Sequence, residues 1–285
     1  MSLEDALLAW CQQETRRGRR LVIGLNGPVG AGKSTLARRL QQRFAAADLR
    51  LAVASIDDAY LPWQERLEAM AGNPYGVNRV PPGSHDPAAL LAGVRQWRSG
   101  GDQTLELPRF DKTLRDGQGD RVAPWRGEAD ALLLEGWMLG CQPLSDLQVS
   151  SEALQGRKPE LNQAELAWLR RCNQALEAYQ PLWKELDQLL VLWPSDWRWP
   201  RRWRLQAEAR QRRSGGGWMP AAELDCLVKA TLQSLPPDLY QCPVLARANG
   251  VRVLDGRRRY VWEGSGEAAL QRWAQPCSVS SSATG

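Results

Sequence analysis

The sequence predicts an α/β fold: a parallel β-sheet with helices packed on both faces and an Arg-rich lid at one end. Three observations carry this. Short, continuous apolar runs recur at LVIGL (21–25), LRLAVASI (49–56), ALLLEG (131–136) and LLVLW (189–193), the pattern of strands buried on both faces. Segments of helical period separate them, as in strand–helix–strand units. A glycine-rich turn, Gly27-Pro28-Val29-Gly30-Ala31-Gly32-Lys33-Ser34, stands between the first apolar run and a helical segment.

Taken in order, residues 5–18 have amphipathic helical spacing and form the body of an N-terminal helix within 1–20. STLARRLQQRF continues from the glycine-rich turn as a helix, and the strand at 49–56 runs into Asp57-Asp58. Residues 61–86 are rich in Pro, Gly and Asn and predict a long ordered loop. A helix is expected over 87–97 and a strand over 104–110, broken by Pro108. Residues 111–128 are polar and turn-rich. Helices are expected between about 160 and 187, at 198–213 and at 220–234, the last two separated by Ser214-Gly215-Gly216-Gly217, and short strands at 244–262. One domain over 1–263 results, with a lid segment at about 198–217. A C-terminal helix or tail, partly disordered, follows over 264–285.

Composition narrows the function. At 285 residues the chain suits one large domain, and 43% apolar with 24% charged residues is globular. Lys and Arg number 37 against 32 acids, a net +5 that permits an anionic ligand without requiring nucleic acid. A single histidine excludes a multi-histidine metal site. The six cysteines form no CxxC pair and read as reduced, cytoplasmic thiols. No apolar run approaches the roughly 18 residues of a membrane span. The first twenty residues place acids before their basic cluster, unlike a signal peptide.

The turn at 27–34 matches GxxxxGK[ST], and its context of strand before and helix after predicts a P-loop NTPase fold instead of an ordinary glycine turn. Gly27, Pro28, Val29, Gly30, Ala31, Gly32, Lys33, Ser34 and Thr35 are the expected nucleotide contacts. Backbone N–H groups and the helix N-terminus cradle phosphates, Lys33 reaches the β- and γ-phosphates, and Ser34 is placed for Mg²⁺. There is no NKxD motif and no ABC signature. Glu135, a single carboxylate at a strand end, suits a small-molecule kinase that positions Mg²⁺ without activating a water; a solvated strand-end acid is the plainer alternative. Asp57 and Asp58 end the second strand, where one could take a proton from an acceptor hydroxyl while the other holds substrate or caps the next segment.

The segments GLNGPVGAGKSTL, SIDDAYL, GNPYGVNRVPPGSHD, PRFDK, GQGDR, LLLEGWMLG and WRWPRRWRLQAEAR with GGGWMPAAELD, spread over about residues 21–240, resemble the uridine kinase, phosphoribulokinase and pantothenate kinase group. Within it they resemble the glycerate kinase family, known from plant photorespiration and from bacterial and fungal relatives. The resemblance implies transfer of the ATP γ-phosphate to the 3-hydroxyl of D-glycerate. It places Asp57 at the group's presumed general base, with Ala59 in place of an aromatic, and Glu135 at its Mg²⁺-associated Glu. Arg202 and Arg204 fall in its Arg-rich lid. Tyr60, His85 and Asp86 lie in matching acceptor-side segments.

A carboxylate acceptor calls for arginine, whose planar fork binds it bidentately. Arg79, Arg109 and Arg121 lie in loops at the expected strand ends, and the sequence does not choose among them. The lid segment holds seven arginines interleaved with Trp197, Trp199 and Trp203. Three readings are open: a kinase lid, ranked first; a solvated helix with its Trp residues in the core; and an RNA-binding surface of a P-loop NTPase, ranked last. Ser214-Gly215-Gly216-Gly217 would hinge a lid. Other kinases of the group, with uridine, pantothenate or a phosphorylated sugar as acceptor, are the nearest alternatives.

Overall fold

The computed structural model describes residues 2–101, 104–157, 159–213 and 220–273. The expected hinge at 214–217 and the tail beyond 273 lie outside the described residues. Helix α1 (Leu3–Arg16) precedes strand β1 (Leu21–Asn26), and α2 (Lys33–Ala45) follows it. Strand β2 (Leu51–Ser55) turns through a 3₁₀ segment at Ile56–Ala59 into α3 (Trp63–Ala69) and α4 (Pro87–Ser99). Strands β3 (Thr104–Asp111), β4 (Asp120–Glu128) and β5 (Ala131–Gly136) come next, then α5 (Gln163–Ala175) and α6 (Gln180–Trp183). Strand β6 (Gln188–Pro194) leads to α7 (Trp199–Arg213), α8 (Ala221–Ser234), α9 (Pro237–Tyr240) and α10 (Cys242–Arg247). Strands β7 (Gly250–Leu254) and β8 (Tyr260–Gly264) and helix α11 (Gly266–Trp273) complete the described chain.

Six strands form one sheet in the order β2-β5-β1-β6-β7-β8, parallel except for β8, which pairs antiparallel with β7. Successive side chains of a strand point to opposite faces. Val22, Leu132, Leu134, Val191 and Val253 therefore enter one apolar layer, and Leu21, Ile23, Leu25, Leu133 and Leu190 the other. Every residue of β1 is buried, which is why its sequence is apolar without alternation up to Asn26, whose side-chain amide donates to the Leu139 carbonyl.

Three expectations need correction. Residues 111–128 are not all turn: β4 occupies 120–128 and pairs with β3 as a separate two-stranded hairpin. Most of β4 faces solvent, so it carries no apolar alternation to read. The loop at 61–86 contains α3. Residues 242–247 are helical, and the closing strands are β7 and β8.

A candidate phosphotransfer site at three adjacent strand ends

Strand order assembles the site. β5 lies between β1 and β2, with Glu135 paired in register to Leu25 on one side and Ser55 on the other. The glycine-rich turn after β1, Glu135 on β5 and Asp57 just past β2 thus share the carboxyl edge of the sheet, where open α/β sheets bind ligands.

The turn closes by a hydrogen bond from Ala31 N–H to the Pro28 carbonyl, 3.2 Å. Gly32 caps α2 in the left-handed region (φ 94°), a conformation cheap only for glycine. Gly30 also has positive φ, and a Cβ there would lie 2.8 Å from Trp203 Cβ and 2.9 Å from the Arg204 nitrogen, so α7 sits directly on the turn. Lys33 Nζ donates to the carbonyls of Gly27 (2.9 Å) and Pro28 (3.3 Å) and stands 3.7 Å from Glu135 Oε2. Ser34 and Thr35 are exposed in the first turn of α2.

Burial raises the Glu135 carboxyl above its ordinary range, Lys33 opposing and Asp57 reinforcing. A half-buried carboxylate and a helix-start hydroxyl are the hard oxygen donors that suit Mg²⁺. Among the described residues no cluster of three or more His, Cys, Asp or Glu could hold a metal.

Asp57 Oδ2 accepts from Lys112 Nζ at 2.6 Å, and Oδ1 lies 3.7 Å from His85 Nε2. Burial pushes the Asp57 carboxyl upward, but Lys112 and His85 together hold it well below the usual range. Asp58 instead accepts from Ser55 N–H (2.8 Å) in a capping box that shapes the 3₁₀ turn, and burial is the main cause raising its pKa. Tyr60 and His85 are buried with stacked rings, centroids 4.4 Å apart. The Tyr60 hydroxyl and His85 Nε2 make no hydrogen bond within the protein.

The acceptor arginines separate. Arg79 donates to the Gly117 and Gln118 carbonyls (2.9 and 3.0 Å), and Arg121 to the Ala59 and Tyr60 carbonyls; both are tied to backbone. Asp86 caps α4 through Ala89 N–H (3.0 Å) and faces Arg121 at 3.4 Å. Arg109 is half exposed, its Nε 4.0 Å from Asp58, and is the least committed of the three. On α7, Arg204 pairs with Glu208 (3.1 Å), while Arg202 is exposed and lies over the Trp199 ring. Trp203 is fully buried, its indole N–H donating to the Gly256 carbonyl. Arg198 and Arg201 are paired with Asp196 and Asp225. Within the segment, Arg198, Arg201 and Arg204 are thus engaged in ion pairs and Trp203 belongs to the core.

Two residues near the site escaped the sequence reading. Lys112 lies within PRFDK, whose resemblance was the available signal. Arg258, on the β7–β8 turn, reaches the Gly30 carbonyl at 3.3 Å and Gln206 at 3.0 Å, and nothing in its local sequence marks it.

No protein-family profile matches the chain. An uncharacterized kinase of Schizosaccharomyces pombe is 30% identical over 214 residues, 72% of this chain and 76% of that protein. The chloroplastic D-glycerate 3-kinase of Arabidopsis thaliana is 32% identical over 235 residues, 77% of this chain. The chain belongs to the family of P-loop kinases that includes D-glycerate 3-kinase. The kinase matches about half of the plant enzyme's length, 48%. Its fold is that of the D-glycerate 3-kinase structure from Cryptococcus neoformans, with a TM-score of 0.77 at 24% identity over 93% of this chain and 99% of that one. As a kinase of this family it is a phosphotransferase with an alcohol group as acceptor. No helix among its described residues is long and apolar enough to cross a membrane.

Proposed function

We propose that this kinase transfers the γ-phosphoryl group of ATP to the 3-hydroxyl of D-glycerate, giving 3-phosphoglycerate and ADP. The observation that carries the reading is the convergence of Lys33, Glu135 and Asp57 on three neighbouring strand ends, with Lys112 at 2.6 Å and His85 at 3.7 Å from Asp57 on the acceptor side. The sequence similarity to the plant D-glycerate 3-kinase supports the choice of acceptor.

In this reading the amides of Val29, Gly30 and Gly32 and the start of α2 hold the phosphates, and Lys33 exchanges its loop carbonyls for phosphate oxygens. Asp57 orients the acceptor hydroxyl in line with the γ-phosphate and takes its proton as the new P–O bond forms. Arg109 is the less committed cation for an acceptor carboxylate, Lys112 being paired with Asp57, and Arg204 lies against the phosphate loop, placed to offset charge as the phosphoryl group moves. Ser34 and Glu135 would hold Mg²⁺, which would supply charge neutralisation for the phosphates.

The test is ADP release from ATP and Mg²⁺ with a panel of acceptors: D-glycerate, uridine, pantothenate, ribulose 5-phosphate and RNA. Turnover with D-glycerate and formation of 3-phosphoglycerate are expected. Turnover with another acceptor alone would move the chain to another branch, and ATPase activity stimulated by RNA would refute the kinase assignment.

A further inference from the structure

Behind Asp57 a buried chain of polar groups runs away from the phosphate loop. His85 Nδ1 lies 3.0 Å from the Tyr179 hydroxyl and 3.3 Å from Ser84 Oγ. Both His85 and Tyr179 are buried. The protons of this cluster can be counted. Ser84 donates its one hydroxyl hydrogen to the Pro81 carbonyl at 2.7 Å. Gly83 N–H donates to the Tyr179 oxygen at 3.1 Å, which leaves the Tyr179 hydrogen for His85 Nδ1. Nδ1 is then an acceptor, and the ring carries its proton on Nε2, facing Asp57. The opposite tautomer would leave the Tyr179 hydrogen buried without an acceptor and set a nitrogen lone pair against a carboxylate. Burial lowers the His85 pKa, with Asp57 opposing, the direction that favours a neutral ring.

We propose that Tyr179 is a positioning residue: by fixing His85 as the Nε2–H tautomer it restrains Asp57 Oδ1 and keeps Oδ2, on the Lys112 side, turned toward the acceptor. This rests on Asp57 as the base. The 3.7 Å separation of His85 Nε2 from Asp57 Oδ1 is the loose contact expected before substrate tightens a site. Tyr179 lies beyond His85 from Asp57, so its effect passes through the imidazole.

The chain contains one histidine, so ¹⁵N-histidine labelling gives a single imidazole to read. The wild type is expected to show a protonated Nε2 and an unprotonated Nδ1. Tyr179→Phe removes the donor to Nδ1; the imidazole should become a tautomer mixture, and kcat should fall by about three- to tenfold, the scale of one lost hydrogen bond, with KM for ATP unchanged. A wild-type spectrum with the proton on Nδ1 overturns the proposal, whether or not the variant folds. So does a folded Tyr179→Phe chain with wild-type kcat. Absence of D-glycerate turnover by the wild type sinks the functional reading instead, and shows before any variant is made.

Discussion

If Asp57 is the base, replacing it by Asn removes that base and little else. The carboxylate's strong ion pair is with Lys112, whose side chain is 54% exposed; a pair that open contributes about 1 kcal/mol or less to folding. The melting temperature should therefore move by no more than about 4 °C. Loss of a positioned general base slows turnover by about 10²–10⁴-fold, or about 3–5 kcal/mol of barrier. The two effects differ by several-fold in energy, which makes the comparison decisive. The measurement is the initial rate of ADP formation at saturating ATP with D-glycerate varied, beside a thermal melt and calorimetry of a non-hydrolysable ATP analogue. The phosphate loop is untouched, so analogue affinity should match the wild type. A folded Asp57→Asn chain turning over at a near-wild-type rate would refute the base assignment.

Lys112→Met removes the cation that holds the Asp57 carboxyl low and leaves burial, which acts upward. The acid limb of kcat/KM should move to higher pH, and an unmoved limb would count against the pairing. In the wild type the stability from this pair is present above the ordinary aspartate range and lost as pH falls through the lowered value; the variant should lack that acid-side loss in a melt series. Gly30→Ala forces a Cβ against Trp203 and Arg204 at positive φ; about 1–2 kcal/mol of stability and most of the ATP-analogue affinity should go, measured by melting and calorimetry. Arg66, fully buried, donates to the Leu61, Gln118 and Gly119 carbonyls and so pins the hairpin turn to the acceptor loop. Arg66→Leu should cost about 2–4 kcal/mol in denaturant unfolding and raise KM for the acceptor more than KM for ATP.

The parallel sheet was legible because strands buried on both faces must be apolar throughout, and LVIGL, ALLLEG and LLVLW are. Asp57 and Glu135 were legible because each ends such a strand, and a parallel sheet brings strand ends together. Strand β4 was not, since APWRGE faces water and draws its order from pairing with β3. Nor was the Lys112–Asp57 pair, which joins residues 55 apart through a hairpin outside the main sheet. The arginines divide for the same reason: whether a guanidinium is free or bound to a carbonyl depends on loop paths that composition does not encode. Arg79 and Arg121 are anchored to backbone, and Arg109 is not. Trp203 stands in a run with three readings open, one of which puts its tryptophans in the core, and it is core.

The strand order has a consequence for biosynthesis. Strand β1 is flanked by β5 and β6, so its backbone edges have no partner until residue 136 and no second one until residue 194 has left the ribosome. At ordinary elongation rates the gap between β1 and β6 lasts roughly 10–30 s. Throughout it the phosphate loop has no fixed platform, and Leu21, Ile23 and Leu25 are unshielded. Mutations that slow synthesis between β1 and β6 should lower yield without touching the finished enzyme.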